Sequence, residues 1–325
     1  MNIFALAGLM TAIAAVAAVF GAYRRKLRRV QQRVRERSEI AETRMGPIEY
    51  GVTGSGEPAL VIHGAGGGYD QGLLIAESFP QFRVIAPSRF GYLRTPVPAD
   101  PSSATQAHAH AALLDHLGVS RALVAGASAG APSAVELALR HPERVRALIL
   151  MVPRAYVPDR TVEVPASKWN ALITRIIMSG ADFLYWAALL LAPKKVMQFM
   201  GVPPKVQENA PASERERLAA ILESVMPLSL RTAGLEVDAA TRPEPLPLGQ
   251  IEVPTLIITT RDDLFGTLPA AEFMAQRIPN ARLVVLDDGG HLLIGQQREV
   301  TDTIADFLAS VEKAEQCLKS VRKTA

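Results

Sequence analysis

Cysteine is almost missing from this chain. The single Cys317 excludes an internal disulfide framework and any cysteine-rich zinc site. Aromatic residues are few, at 6%, and the net charge over 325 residues is only +3. That small number hides an uneven distribution. Residues 23–37 (YRRKLRRVQQRVRER) hold eight Arg or Lys and one Glu, which leaves 27 basic and 31 acidic residues elsewhere. The basic isoelectric point therefore belongs to one short stretch, and the body is mildly acidic. This argues against a nucleic-acid-binding domain. With 49% apolar and 21% charged residues, the chain is too apolar for disorder and too charged for a polytopic membrane protein. Its length suits one large domain or two smaller ones.

Charge is wholly absent from residues 3–22 (IFALAGLMTAIAAVAAVFGA). As a helix these twenty residues reach about 30 Å, enough to cross the hydrocarbon core. Eight of them are Ala, so the insertion tendency is moderate. A cleaved signal peptide is the alternative. It calls for a basic segment ahead of a shorter apolar core and for small residues at the cleavage site. The run is therefore read as an uncleaved transmembrane anchor. The cluster Arg24, Arg25, Lys26, Arg28 and Arg29 follows at once. Basic residues favour the cytoplasmic side, so the large domain is expected there, in a single-pass membrane protein. The same cluster, in a juxtamembrane segment 23–42, suits anionic lipid headgroups.

From about residue 43, short β-branched runs alternate with Ala-rich stretches. Strands are expected at 46–52, 59–62, 82–86, 121–125, 145–151, 255–260 and 282–286. Helices are expected at 70–79, 103–117, 129–140, 268–278 and 296–313, with Pro101 and Ser102 opening one of them and Gly118 closing it. Continuous apolar strands alternating with helices predict an α/β fold: a mostly parallel central sheet flanked by helices. The alternation fails between 154 and 250, which is read as a helical insertion returning through the Pro-rich run 241–254. Within it, 183–192 (FLYWAALLLA) is too short to cross a bilayer. It is read as a buried helix, with a lipid-facing or pocket-lining patch as the alternative. The expected parts are thus the anchor 3–22, the basic segment 23–42, a core in two pieces (43–153 and 251–315), the insertion 154–250 and a tail 316–325.

Gly126-Ala127-Ser128-Ala129-Gly130 fits G-x-S-x-G. It follows an expected strand and opens an expected helix. A sharp turn of this kind strains the serine and admits only small neighbours, and all four here are Gly or Ala. It also sets Ser128 near a helix N-terminus, where free N–H groups favour developing negative charge. A second Gly-rich stretch, His63-Gly64-Ala65-Gly66-Gly67-Gly68, leaves the strand 59–62. It lacks the spacings of the phosphate-binding fingerprints. The N–H groups of Ala65 and Ala129 can instead form an oxyanion hole. His63, at a strand end, is read as structural.

A serine hydroxyl needs a base, and the base needs an orienting carboxylate. Of six histidines, His291 follows the strand 282–286 and the turn Asp287-Asp288-Gly289-Gly290, a loop able to carry an imidazole to a serine. His108, His110 and His116 share one expected helix without the spacing of a metal pair, and are read as surface or structural. His141 is read as capping the helix before Pro142. Asp262 and Asp263 both leave the strand 255–260. Either completes the chain order Ser, Asp, His.

Together these residues resemble the α/β-hydrolase fold family over roughly residues 45–312. The resemblance implies Ser128 as nucleophile, His291 as general base and Asp263 as the best match to the family acid, with Asp262 as the alternative because Thr260 stands where the family has glycine. The family's acidic segment after the next strand is altered here to Ser88-Arg89-Phe90-Gly91-Tyr92. The insertion resembles the family's helical cap. A serine nucleophile excludes the dehalogenase and epoxide-hydrolase branches. What remains includes esterases, lipases, C–C bond hydrolases, aminopeptidases and perhydrolases. The expectation is a membrane-anchored serine esterase that needs no metal or organic cofactor. Its substrate is a small-molecule ester with a hydrophobic acyl or alcohol part, and its alternatives are C–C bond cleavage or a non-catalytic ligand-binding relative.

Overall fold

A computed structural model describes residues 3–158 and 168–324. Residues 159–167 of the expected insertion lie outside the described residues. Eight strands form one sheet: β1 (Glu39–Thr43), β2 (Gly46–Thr53), β3 (Glu57–Ile62), β4 (Phe82–Pro87), β5 (Ala122–Ala127), β6 (Val145–Met151), β7 (Thr255–Thr260) and β8 (Ala281–Leu286). Their order is β1-β2-β4-β3-β5-β6-β7-β8. Only the β1–β2 and β2–β4 pairings are antiparallel. All seven expected strands are present. β1 is an addition at the edge, where the sequence carries Glu-Ile-Ala-Glu-Thr and only Ala41 is buried.

The helices are α1 (Ile3–Glu36), α2 (Tyr69–Ile75), α3 (Ser103–His116), α4 (Ala131–Arg140), α5 (Lys168–Met178), α6 (Asp182–Leu191), α7 (Pro193–Phe199), α8 (Pro204–Asn209), α9 (Ala212–Ser224), α10 (Thr232–Ala240), α11 (Leu268–Arg277) and α12 (Gln297–Thr324). The sheet separates two cores. Leu60, Ile62, Val124, Leu148, Leu150 and Ile257 point to the face covered by α3, α4 and α11. Their alternates Ala59, Val61, Leu123, Ala125, Ile149 and Ile258 point to the face covered by α12, through Val300, Ile304, Phe307 and Leu308. This two-sided burial is why the strands read as unbroken apolar runs. Local signals set the helix ends: the Ser102 hydroxyl accepts from Thr105 N at 3.2 Å and caps α3.

Helix α1 runs 34 residues without a break. Its most apolar 18-residue window has a mean hydropathy of 1.9 and is almost wholly exposed, so the helix is long and apolar enough to cross a membrane. Its second half joins the globular body. Tyr23, Val30 and Val34 are buried, Lys26 and Arg33 pair with Glu223 of α9, and the Tyr69 hydroxyl donates to Val34 O at 2.8 Å. Between β6 and β7 the described residues contain six α-helices, α5 to α10, two short 3-10 turns and no strand. Within this insertion α6 turns Tyr185 inward and leaves Phe183, Leu184, Leu190 and Leu191 exposed. The buried-helix reading of 183–192 therefore holds for one face only.

Candidate active site

The C-terminal ends of β3, β5, β7 and β8 carry His63, Ser128, Asp263 and His291 to one edge of the sheet, where open parallel sheets place their sites. Ser128 sits between β5 and α4 with φ 48°, a left-handed conformation rare for a side-chain-bearing residue. The turn fits only because its flanks are small. A Cβ on Gly130 would lie 2.5 Å from His63 O and 2.7 Å from Ile62 O, and one on Gly126 would meet the Ala134 Cβ at 2.7 Å. The strain holds the Ser128 hydroxyl proud of the sheet edge.

His291 Nε2 lies 2.8 Å from Ser128 Oγ, and its Nδ1 lies 2.8 Å from Asp263 Oδ2. Asp263 Oδ2 also accepts from the Thr267 hydroxyl at 2.5 Å, and Oδ1 accepts from Phe265 N at 2.8 Å. Burial alone would raise the Asp263 carboxyl. The facing imidazole and these donors outweigh burial and hold it below the ordinary carboxylate range. Asp263 therefore stays ionised and fixes the proton of His291 on Nδ1, leaving Nε2 free to take a proton from Ser128. Asp262 faces elsewhere: its Oδ1 accepts from Gly290 N at 2.8 Å. The two neighbouring carboxylates thus serve the same turn in different ways, one holding the backbone and the other the ring.

The Gly-rich loop after β3 is braced by His63, by Arg89 and Tyr92 of the altered segment, and by Asp238, Arg231 and Asp70, which had no signal in the sequence. His63 is fully buried, and burial followed by the Arg89 charge pushes its imidazole well below the ordinary histidine range. Its Nε2 accepts from Arg89 N at 2.9 Å, so its proton lies on Nδ1, 2.7 Å from Gly64 O. The Arg89 side chain donates to His63 O and Gly64 O and makes a forked pair with Asp238 of α10 at 2.8 and 2.7 Å. Tyr92 OH donates to Asp238 Oδ2 at 2.6 Å and accepts from Gly66 N at 3.2 Å. Farther along, the buried Arg231 guanidinium binds Gly67 O and pairs with Asp70 at 2.7 Å. The Ala65 N–H donates to no backbone carbonyl among the described residues. The only sequence signal for this bracing was the altered Ser88–Tyr92 segment, because the acid that completes it lies 149 residues from Arg89.

The insertion also touches the His291 loop. Gly201, at φ 84°, accepts from His291 N at 3.1 Å and Leu264 N at 3.2 Å, and a Cβ there would lie 2.5 Å from the His291 Cβ. A cavity opens beside Ala129, between Phe90 and Ser133 on the core side and Arg154 and Asp238 on the insertion side. The other histidines lie away from the triad geometry. His110 is buried with Nε2 3.2 Å from Ser133 Oγ, His108 meets His141 at 2.8 Å, and His141 ends α4 through its backbone N–H. Among the described residues no group of three His, Cys, Asp or Glu side chains could hold a metal ion.

A serine on a strained strand-to-helix turn, a histidine on the last strand's loop and an aspartate between them in sequence form the arrangement found in α/β hydrolases. A family model for the alpha/beta hydrolase fold matches residues 58–296, and the chain belongs to that family. It is a hydrolase. It is 29% identical over 277 residues to 2-hydroxymuconate semialdehyde hydrolase of Pseudomonas putida, covering 80% of this chain and 89% of that one. It is 26% identical over 269 residues to Lipase 3 of a Moraxella species, covering 78% and 77%. Among solved structures, a thermophilic esterase from Thermogutta terrifontis is 26% identical with a TM-score of 0.62, covering 84% of this chain and 98% of that one.

Proposed function

We propose that the protein is a membrane-anchored serine hydrolase acting on carboxylic esters with a hydrophobic acyl or alcohol part. The observation that carries this reading is the unbroken relay from Ser128 Oγ through His291 to Asp263, each step 2.8 Å, on a serine held at φ 48°. Ser128 Oγ attacks the ester carbonyl while His291 Nε2 takes its proton. The imidazolium so formed is stabilised by ionised Asp263. The N–H groups of Ala65 and Ala129 receive the oxyanion, each worth about 3 kcal/mol in the transition state. His291 then returns the proton to the leaving alcohol, and water repeats the cycle on the acyl-enzyme. The insertion α5–α10 acts as the cap over this site, and α1 holds the enzyme in the membrane with the globular body on the cytoplasmic side, as the basic cluster after residue 23 favours.

A fluorophosphonate probe should label the folded full-length chain at Ser128 and nowhere else. Ser128→Ala should lose the label and about 10⁴-fold or more of ester turnover. Unchanged turnover in that variant refutes the reading. A second reaction, hydrolysis of an activated C–C bond, is favoured by the similarity to 2-hydroxymuconate semialdehyde hydrolase. Aryl esters assayed beside a vinylogous diketone separate the two. Protease treatment of sealed vesicles tests the topology, since digestion of the globular body from the outer face alone overturns the cytoplasmic placement.

A further inference from the structure

The outward face of α6 is the wrong kind of surface for water. Phe183, Leu184, Ala187, Leu190 and Leu191 recur at helical spacing and form one stripe, with Leu190 62% and Leu191 85% exposed. The helix cannot roll to hide them. Its opposite face is pinned where Asp182 accepts from Ser229 N and Oγ at 3.2 and 2.6 Å, and where the Tyr185 hydroxyl donates to Leu222 O at 2.9 Å.

Position says what should cover this stripe. The stripe begins where the apolar part of α1 ends. Phe183 stacks edge-on against Tyr23 at 5.1 Å and lies 6.4 Å from Phe20, and Trp186 lies 5.6 Å from Tyr23. Phe20 and Tyr23 are one helical turn apart, about 4.5 Å along the axis, at the boundary between the charge-free run and Arg24. A Tyr–Trp–Phe cluster at that level has the composition of a membrane–water interface. Basic residues flank the stripe on both sides: Arg24 and Arg25 on α1, and the exposed Lys194 and Lys195 just past Leu191. An apolar face rimmed by cations matches an anionic bilayer surface.

We infer that the α6 face and the turn into α7 rest on the headgroup layer of an anionic bilayer beside the point where α1 leaves it, so that the enzyme takes its ester from the lipid. This deepens the proposed function and rests on α1 as a membrane span. The seat is wired to the site by a short path. Only the seven residues of α7 and Met200 separate Ala192, at the C-terminal end of α6, from Gly201, whose carbonyl holds His291 N at 3.1 Å. The membrane seat is therefore joined through α7 to the element that holds the His291 loop.

The far end of the stripe is the discriminating place, because the contacts of Phe183 with Phe20 and Tyr23 keep the near end close to the membrane in any case. In the full-length chain with Cys317→Ser, Leu191→Cys is labelled with an NBD fluorophore and reconstituted into phosphatidylethanolamine–phosphatidylglycerol vesicles. The expected result is blue-shifted emission, quenched about twofold or more by lipids spin-labelled near the headgroup and poorly quenched by aqueous iodide. Water-like emission quenched by iodide alone overturns the inference, as does failure of the chain to float with the vesicles. A Leu190→Glu/Leu191→Glu variant should lose about tenfold in turnover of a long-chain ester presented in vesicles and keep its turnover of a soluble short-chain ester within about twofold. Equal losses on both esters overturn the lipid route. A lipid-quenched probe on a protein with no turnover of either ester supports the docking and overturns the ester reading.

Discussion

Two polar clusters flank the Gly-rich loop after β3 and are built to opposite ends. In the triad, Ser128, His291 and Asp263 are joined by single hydrogen bonds of 2.8 Å along which a proton can move. In the brace, His63, Arg89 and Tyr92 are each held in one protonation state around Asp238. Burial and the Arg89 charge keep His63 neutral, and burial followed by the Asp238 charge raises the Tyr92 phenol. Against the cost of burial, Asp238 raises the Arg89 guanidinium further. The triad stands on turns of the core, whereas the brace draws its acid from the insertion. The turns at the sheet edge thus supply Ser128, His291 and Asp263, whereas the brace on the Gly-rich loop is completed by one residue of the insertion, Asp238.

The largest effect that sharpens this contrast separates the two neighbouring aspartates. Asp263→Asn removes the charge that fixes the His291 tautomer and should lower kcat by about 10⁴-fold. Asp262→Asn keeps an oxygen for the Gly290 N–H and should stay within about tenfold. Steady-state ester kinetics on both variants decide the matter. Comparable losses would mean that the turn, rather than the charge beside the imidazole, carries the effect.

Next comes the brace. Asp238→Asn leaves the Arg89 guanidinium, 8% exposed, without its counter-charge, and should cost about 3–5 kcal/mol of stability in thermal unfolding of the detergent-solubilised chain. A double variant, Arg89→Met with Asp238→Leu, should recover most of that stability, since a buried ion pair is replaceable by apolar packing. It should not recover kcat, because the carbonyls of His63 and Gly64 lose their donors and the loop carrying Ala65 loses its aim. Full recovery of both quantities would show that the brace is packing and nothing more.

What could be read from the sequence follows the same division. Ser128 was legible because sterics demand four small neighbours, and His291 because two glycines precede it at a strand end. Asp263 and Asp262 were not separable by pattern alone. The strand alternation ends at Thr260, and the direction of each carboxylate is set by the turn, which gives Asp262 to Gly290 N. β1 escaped notice because an edge strand of Glu-Ile-Ala-Glu-Thr buries only Ala41. The inward face of α1 was masked by its charge. Tyr23, Leu27, Val30 and Val34 recur at helical spacing inside the basic run, yet eight cations in 23–37 made solvent and lipid headgroups the natural partners. Asp238 and Gly201 had no local signal, since each acts only through a surface brought to it by folding.

The smallest effect concerns acid stability, and it belongs to the buried histidines rather than the triad base. His110 is held down to about 3 by burial, reinforced by the Arg89 charge. Its Nε2 lies 3.2 Å from Ser133 Oγ, whose own proton goes to Gly130 O at 3.1 Å, so the ring is neutral with its hydrogen on Nε2. In the unfolded chain the same imidazole titrates near 6.5. Between those two values the unfolded state binds the extra proton, so stability falls as the pH drops from about 6.5 toward about 3, by at most ~1.4 kcal/mol per pH unit. His63 is depressed as well and acts in the same direction. Asp263 adds a loss only below about pH 4, where the unfolded carboxyl protonates first. His110→Gln keeps a neutral donor for Ser133 at every pH. Its denaturation midpoint should therefore fall less steeply than the parent's between pH 6.5 and 4.5, by about one proton's worth of slope. Parallel curves for the two proteins would mean that His110 is protonated in the folded state, and that the core behind the nucleophile turn is open to water.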